Sequence, residues 1–214
     1  MRHRANAAVL TAALILASSP AGADGHFVLG GFTRADVGLA DDGDGFCLGV
    51  GTVAVLGDGP LEILAAAEFL QLGGSQTMLF SDPQAGNTVG PAEVTLSYLQ
   101  PAGSLAIRLP AGPVTIRPYA GLAAALKVGE SWSTPTGTAD RDLGYEDVDL
   151  RVHLGARLNA GKGFLDARYA WGLLDQVTVT GALPDKADDP LGGESLPVAG
   201  DKVSFFRVSA GWNF

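Results

Sequence analysis

Residues 148–158 alternate without a break. Val148, Leu150, Val152, Leu154, Ala156 and Leu158 are apolar, while Asp149, Arg151, His153, Gly155 and Arg157 are charged, polar or glycine. A helix would scatter those charges around its circumference, whereas a strand sends them all to one face. The same period recurs elsewhere. Leu165, Ala167, Tyr169, Trp171 and Leu173 oppose Asp166 and Arg168, and Phe206, Val208, Ala210, Trp212 and Phe214 oppose Arg207 and Ser209. Leu61, Ile63, Ala65, Ala67 and Phe69 oppose Glu62 and Glu68, and Val114, Ile116, Ala120, Leu122 and Leu126 oppose Thr115, Arg117, Tyr119 and Gly121. Phe46, Leu48 and Val50 alternate with Cys47, Gly49 and Gly51, and residues 26–39 set Leu29, Ala35, Val37 and Leu39 against Arg34 and Asp36. The eighth segment, 92–108, changes parity between Tyr98 and Leu105, which predicts a bulge near Pro101, a residue that cannot donate to a ladder.

The connections separate an up-and-down barrel from other all-β folds. Gly57-Asp58-Gly59-Pro60, Pro110-Ala111-Gly112-Pro113 and Asn159-Ala160-Gly161-Lys162-Gly163 carry tight-turn chemistry. Asp41-Asp42-Gly43-Asp44 and residues 73–91, 129–147 and 176–200 make the alternate connections, and all but the first are long. Alternating short and long connections are those of a membrane barrel with a turn rim and a loop rim. A soluble barrel of the same strand number would have to wet its outer face. Here Arg34, Asp36, Glu62, Glu68, Arg117, Asp149, Arg151, His153, Arg157, Asp166, Arg168 and Arg207 share one face, and the opposite face is nearly free of charge. These twelve are expected to line the lumen, where five carboxylates and six arginines can pair while the apolar face meets lipid. Phe27, Phe69, Tyr98, Tyr169, Trp171 and Trp212 are expected in the lipid belt and its girdles.

Mean hydropathy is +0.22 although no run of 18 apolar residues follows residue 23, so strands rather than spanning helices carry the apolar content. Residues 1–23 have the form of a secretory signal: Arg2 and Arg4, an apolar run from Ala7 to Ala17, then small residues to Ala23. Cleavage is expected after Ala23, leaving a barrel domain over 24–214. Removing two of 14 basic residues and none of 23 acidic ones takes the net charge from −9 to −11, which disfavours nucleic acid as a partner. Cys47 is the single cysteine, so an intrachain disulfide is excluded.

The ending from Phe205 to Phe214 resembles the C-terminal strand of Gram-negative outer-membrane proteins, in which Trp212 and Phe214 would present the signal read by the barrel-assembly machinery. Ser97-Tyr98-Leu99-Gln100-Pro101, Arg117-Pro118-Tyr119-Ala120-Gly121-Leu122 and residues 166–173 together resemble the PorT-type outer-membrane β-barrel family. That resemblance implies an eight-stranded antiparallel barrel and brings no catalytic residues. The expected protein is a monomeric, non-enzymatic barrel in outer-membrane lipid, structural or binding an extracellular ligand through its loops, with no cofactor or metal. A narrow porin-like channel and a lipid-modifying enzyme are the alternatives. No serine is evidently placed beside His153, as a hydrolase would require. The acidic runs Asp41, Asp42 and Asp44, and Asp185, Asp188, Asp189 and Glu194, are expected to be solvated loop residues rather than calcium ligands, and Trp132 an interface anchor.

Overall fold

In the computed structural model the described residues are 23–37, 41–82, 86–134, 137–139, 146–174 and 202–214. The proposed signal sequence and the loop 176–200 lie outside them. Among the described residues there are ten strands: β1 (Ala23–Asp36), β2 (Asp41–Val55), β3 (Leu61–Asp82), β4 (Gly86–Ile107), β5 (Leu109–Ala111), β6 (Val114–Thr134), β7 (Gly137–Ala139), β8 (Val148–Ala160), β9 (Gly163–Gly172) and β10 (Ser204–Asn213). β5 and β7 are three-residue flanks of β6. The other eight form a closed antiparallel ring in the order β1-β2-β3-β4-β6-β8-β9-β10, and β10 pairs with β1 from Phe27↔Asn213 to Asp36↔Ser204. Closure leaves no free sheet edge along the wall, so each strand satisfies its backbone on both sides. At the seam His26 and Phe214 exchange backbone hydrogen bonds of 3.2 and 3.0 Å.

The tight turns fall where the sequence places them. Gly112 and Gly161 hold φ of 66° and 59°, a conformation that other residues avoid, and Gly161-Lys162 joins β8 to β9 with a two-residue loop. At the opposite rim the strands run further than expected. β3 and β4 stay paired from Leu61↔Ile107 to Asp82↔Gly86 without a register shift, so most of the segment read as the loop 73–91 is a hairpin rising above the wall. β6 likewise continues to Thr134 and pairs with β7, taking up part of 129–147. β-prone residues such as Thr77, Phe80, Thr88 and Val89 continue these strands, and pairing gives their backbone groups partners that a loop would have to find in water.

The bulge lies elsewhere than expected. Ala67 pairs with Pro101 in unbroken register, and the shift occurs between Ser97 and Tyr98 on the β6 side, where Val128 is the extra residue. β4 therefore keeps one parity, with Val94, Leu96, Tyr98, Gln100, Ala102, Ser104 and Ala106 all buried inward. The apparent change of face arises because the lumen itself changes character along its axis. Toward the mouth with the long connections it is lined by Val37, Leu70, Leu72, Val94, Leu96, Val203 and Phe205, so apolar residues on these strands point in. Tyr98 and Phe27, expected in the lipid belt, are both buried inside the lumen. Of the other four, Tyr169 and Trp212 are exposed on the outer face, and Phe69 and Trp171 are half-buried. The outer wall also exposes Phe32, Leu48, Leu122 and Leu165.

Inside, large rings cover glycines on the neighbouring strand. Phe27 pairs with Gly51, Tyr119 with Gly155, His153 with Gly121 and Phe164 with Gly211. In each case a Cβ on the glycine would strike the ring: the His153 Nε2 would be 2.6 Å away, and a Phe164 ring carbon 2.6 Å. This large-against-small pairing fills an eight-stranded bore that has room for little else. We expect Gly155→Val, which drives a branched side chain into the Tyr119 ring, to lower stability by about 2–3 kcal/mol in urea unfolding from lipid. Ala167→Val on the outer face should stay within about 0.5 kcal/mol of the parent.

Candidate functional site

Two features stand out in the lumen: a layer of buried ion pairs and, below it, a cavity at the short-turn mouth. The layer is built around Glu68 and Asp166. Glu68 on β3 accepts from Arg168 Nη1 on β9 at 2.8 Å and lies 2.8 Å from Arg207 Nη1 on β10. β9 stands directly across the ring from β3, so this contact spans the bore. Asp166 on β9 takes Arg207 Nη2 at 2.7 Å, Arg157 Nε at 3.3 Å and the Tyr119 hydroxyl at 2.9 and 3.0 Å to its two oxygens. Arg168 Nε also donates to the Tyr119 hydroxyl at 3.2 Å.

The layer extends toward the long-connection mouth through Gln100. Its amide nitrogen donates to Glu68 at 3.1 Å and its oxygen accepts from Arg151 Nη1 at 3.0 Å, while Arg151 Nε pairs with Asp149 at 2.7 Å. Arg151 stacks on Tyr98 at 4.4 Å, and Arg157 lies between Phe27 and Phe164 at 4.2 Å from each ring centroid. Glu68, Asp149, Arg151, Arg157, Asp166 and Arg207 are each no more than 1% exposed. Charges so deep are held by ion pairs and charge-assisted hydrogen bonds to one another.

The alternating face thus sends Glu62, Glu68, Arg117, Asp149, Arg151, His153, Arg157, Asp166, Arg168 and Arg207 inward. Arg34 and Asp36 do not join them, and here the expectation is corrected. Both are exposed on the outer side at the end of β1, with Arg34 Nε 3.5 Å from Asp42. The inward positions of β1 are Phe27, Leu29, Thr33, Ala35 and Val37, so on this strand apolar residues mark the lumen and charge does not.

One residue pair escapes sequence reading. Ser104 Oγ lies 2.7 Å from His153 Nε2, both buried, across the row Ser104↔Gly121↔His153. Gly121 has no side chain to separate them, and only the ring register reveals that two residues 49 apart are neighbours. The pair faces the lumen rather than lipid, and among the described residues no carboxylate accepts from His153 Nδ1. Among the described residues no group of three or more His, Cys, Asp or Glu could hold a metal ion. Of the acidic run at the start of β2, Asp42 is engaged by Arg34, and the run 185–194 lies outside the described residues. The side chain of Trp132 is likewise outside them. Trp212 is exposed on the outer wall and Phe214 ends the seam against His26, their rings 6.2 Å apart.

The cavity at the short-turn mouth has a volume of about 610 Å³ and holds a second ion cluster. Glu62 is gripped by Arg117, with Nε 2.6 Å from Oε2 and Nη2 3.4 Å from Oε1, and Arg108 Nε stands 3.6 Å from that Oε1.

No protein-family model and no curated protein matches this chain. Solved barrels do. Neisserial surface protein A, NspA, aligns with a TM-score of 0.51 at 14% identity, covering 90% of this chain and 99% of that one. Ail, the attachment invasion locus protein of Yersinia pestis, solved with the heparin analogue sucrose octasulfate, aligns with a TM-score of 0.47 at 14% identity over 89% of this chain and 99% of its own. The outer membrane enzyme PagL aligns with a TM-score of 0.43 at 10% identity over 86% and 98%. The likeness to NspA bears on the fold, that of the small eight-stranded outer-membrane barrels, and on nothing finer.

Removing Asp166 would leave Arg157 without its carboxylate and Arg207 with Glu68 alone, so Asp166→Ala is expected to lose about 3–5 kcal/mol in urea unfolding. Arg34→Ala breaks an exposed pair and should change stability by about 0.5 kcal/mol or less.

Proposed function

We propose that the chain is an outer-membrane barrel, exported with cleavage after Ala23, whose closed lumen makes it a structural or surface-interaction protein rather than a porin or an enzyme. The observation that carries this reading is the layer around Glu68 and Asp166, which fills the bore with buried, mutually paired side chains. An apolar outer wall with exposed Phe32, Leu122 and Leu165 supports residence in lipid. The tall β3–β4 hairpin and the β6–β7 extension supply a surface at the long-connection mouth for an extracellular ligand. The short turns then face the periplasm. The aromatic ending Trp212 to Phe214, on a strand that closes the ring, supports recognition by the barrel-assembly machinery and, with the motifs at 97–101, 117–122 and 166–173, a PorT-type relationship.

A lipid-modifying activity would need a nucleophile facing lipid at the outer rim. Ser104 is 6% exposed and turned inward, which supports a structural role for its bond to His153. Reconstitution into planar bilayers tests the reading. Repeated insertions, confirmed by a heat-modifiable gel shift, are expected to give no discrete conductance steps. Steady unit steps would overturn the closed lumen in favour of a narrow channel.

A further inference from the structure

The cavity at the short-turn mouth has the makings of a binding site that the closed-lumen reading does not use. Its 610 Å³ falls within the range of small-molecule sites, roughly 300–1,000 Å³. It is lined by Glu62, Arg108, Thr115, Arg117, Asn159 and Asn213 together with residues of β1, β2 and the turns. Its floor is shut by the next inward row, where Arg157 lies between Phe27 and Phe164 and is tied to Asp166. A molecule entering from this mouth therefore meets a dead end rather than a passage.

The chemistry of the walls is specific. Glu62 is 1% exposed and is shared by two guanidinium groups, so the cluster keeps one surplus positive charge. Arg108 is the more exposed of the two arginines, its side chain 43% open against 16% for Arg117, and its approach to Glu62 at 3.6 Å is looser than a hydrogen bond. Asn159, 8% exposed, contributes to the same wall.

We propose that this cavity binds a small carboxylate, held on the exposed guanidinium of Arg108. Two sources share that chemistry, an acidic amino sugar and the carboxyl end of a short peptide. The site depends on the closed-lumen reading only for its blind end and for the periplasmic origin of the ligand.

The test is a two-dimensional amide NMR titration of the full barrel in detergent micelles with three probes: N-acetylmuramic acid, D-alanyl-D-alanine and the uncharged N-acetylglucosamine. Saturable shifts at Thr115, Arg117 and Asn159 with either acid, and none with the uncharged sugar, are expected, and the acid that binds identifies the source. Arg108→Gln, a substitution at the exposed rim whose folding the heat-modifiability gel checks, should weaken that binding about tenfold or more. No saturable shift with either acid up to tens of millimolar, an equal response to N-acetylglucosamine, or full affinity in Arg108→Gln would overturn the site. Conductance in bilayers alongside normal binding would remove the closed lumen and leave the site, so the two failures are distinguishable.

Discussion

Glu68 sets the terms for the rest of the interior. It rises from β3 and meets Arg168 and Arg207 on the far side of the ring, so one carboxylate holds opposite walls of the barrel together. Both guanidinium groups are nearly or wholly buried, and β9 and β10 place them side by side in register as Arg207↔Arg168. Two like charges in such a position repel unless carboxylates lie between them and the wall opposite. Glu68 from one side and Asp166 from the other provide that screen. Tyr119, Gln100 and Arg151 then take the remaining hydrogen-bonding positions, carrying the network along the axis to Asp149.

A network of long side chains fits in so narrow a bore only because small residues make space for it. The four glycines beneath Phe27, Tyr119, His153 and Phe164 let rings lie flat against the neighbouring strand. Two of those rings then form the slot for Arg157. The interior is consequently layered: apolar at the long-connection mouth, ionic in the middle, and polar with an open cavity at the short-turn mouth. Ordinary globular domains bury their apolar residues centrally. Here large apolar side chains line the outer wall, and the largest fully buried side chains are Arg151, Arg157 and Arg207.

The strand count, the tight turns and the inward face of β3, β6, β8, β9 and β10 were legible because charge and apolarity alternate there at period two. The pairing of Arg157 with Asp166 follows directly from the two-residue turn between β8 and β9. β1 and β4 were harder to read for a common reason. Their inward positions near the long-connection mouth are apolar, so Arg34 and Asp36 suggested the wrong face on one strand, and Tyr98 and Leu105 suggested a bulge on the other. Contacts between strands that do not pair, such as Glu68 with Arg168 or Ser104 with His153, depend on ring order and stagger. No local pattern encodes those, so which inward charges pair, and which serine meets the histidine, becomes visible only in the closed barrel.

The central claim is that Glu68 bridges the bore to Arg168 and Arg207. Solid-state NMR dipolar recoupling between glutamate side-chain carboxyl ¹³C and arginine guanidinium ¹⁵N, on the barrel in lipid bilayers, measures that contact directly. Strong dephasing of two carboxyl signals, from Glu62 beside Arg117 and from Glu68, with the second removed by Glu68→Gln and the first retained, is the predicted result. A Glu68 carboxyl signal that shows no dephasing from any guanidinium nitrogen would contradict it.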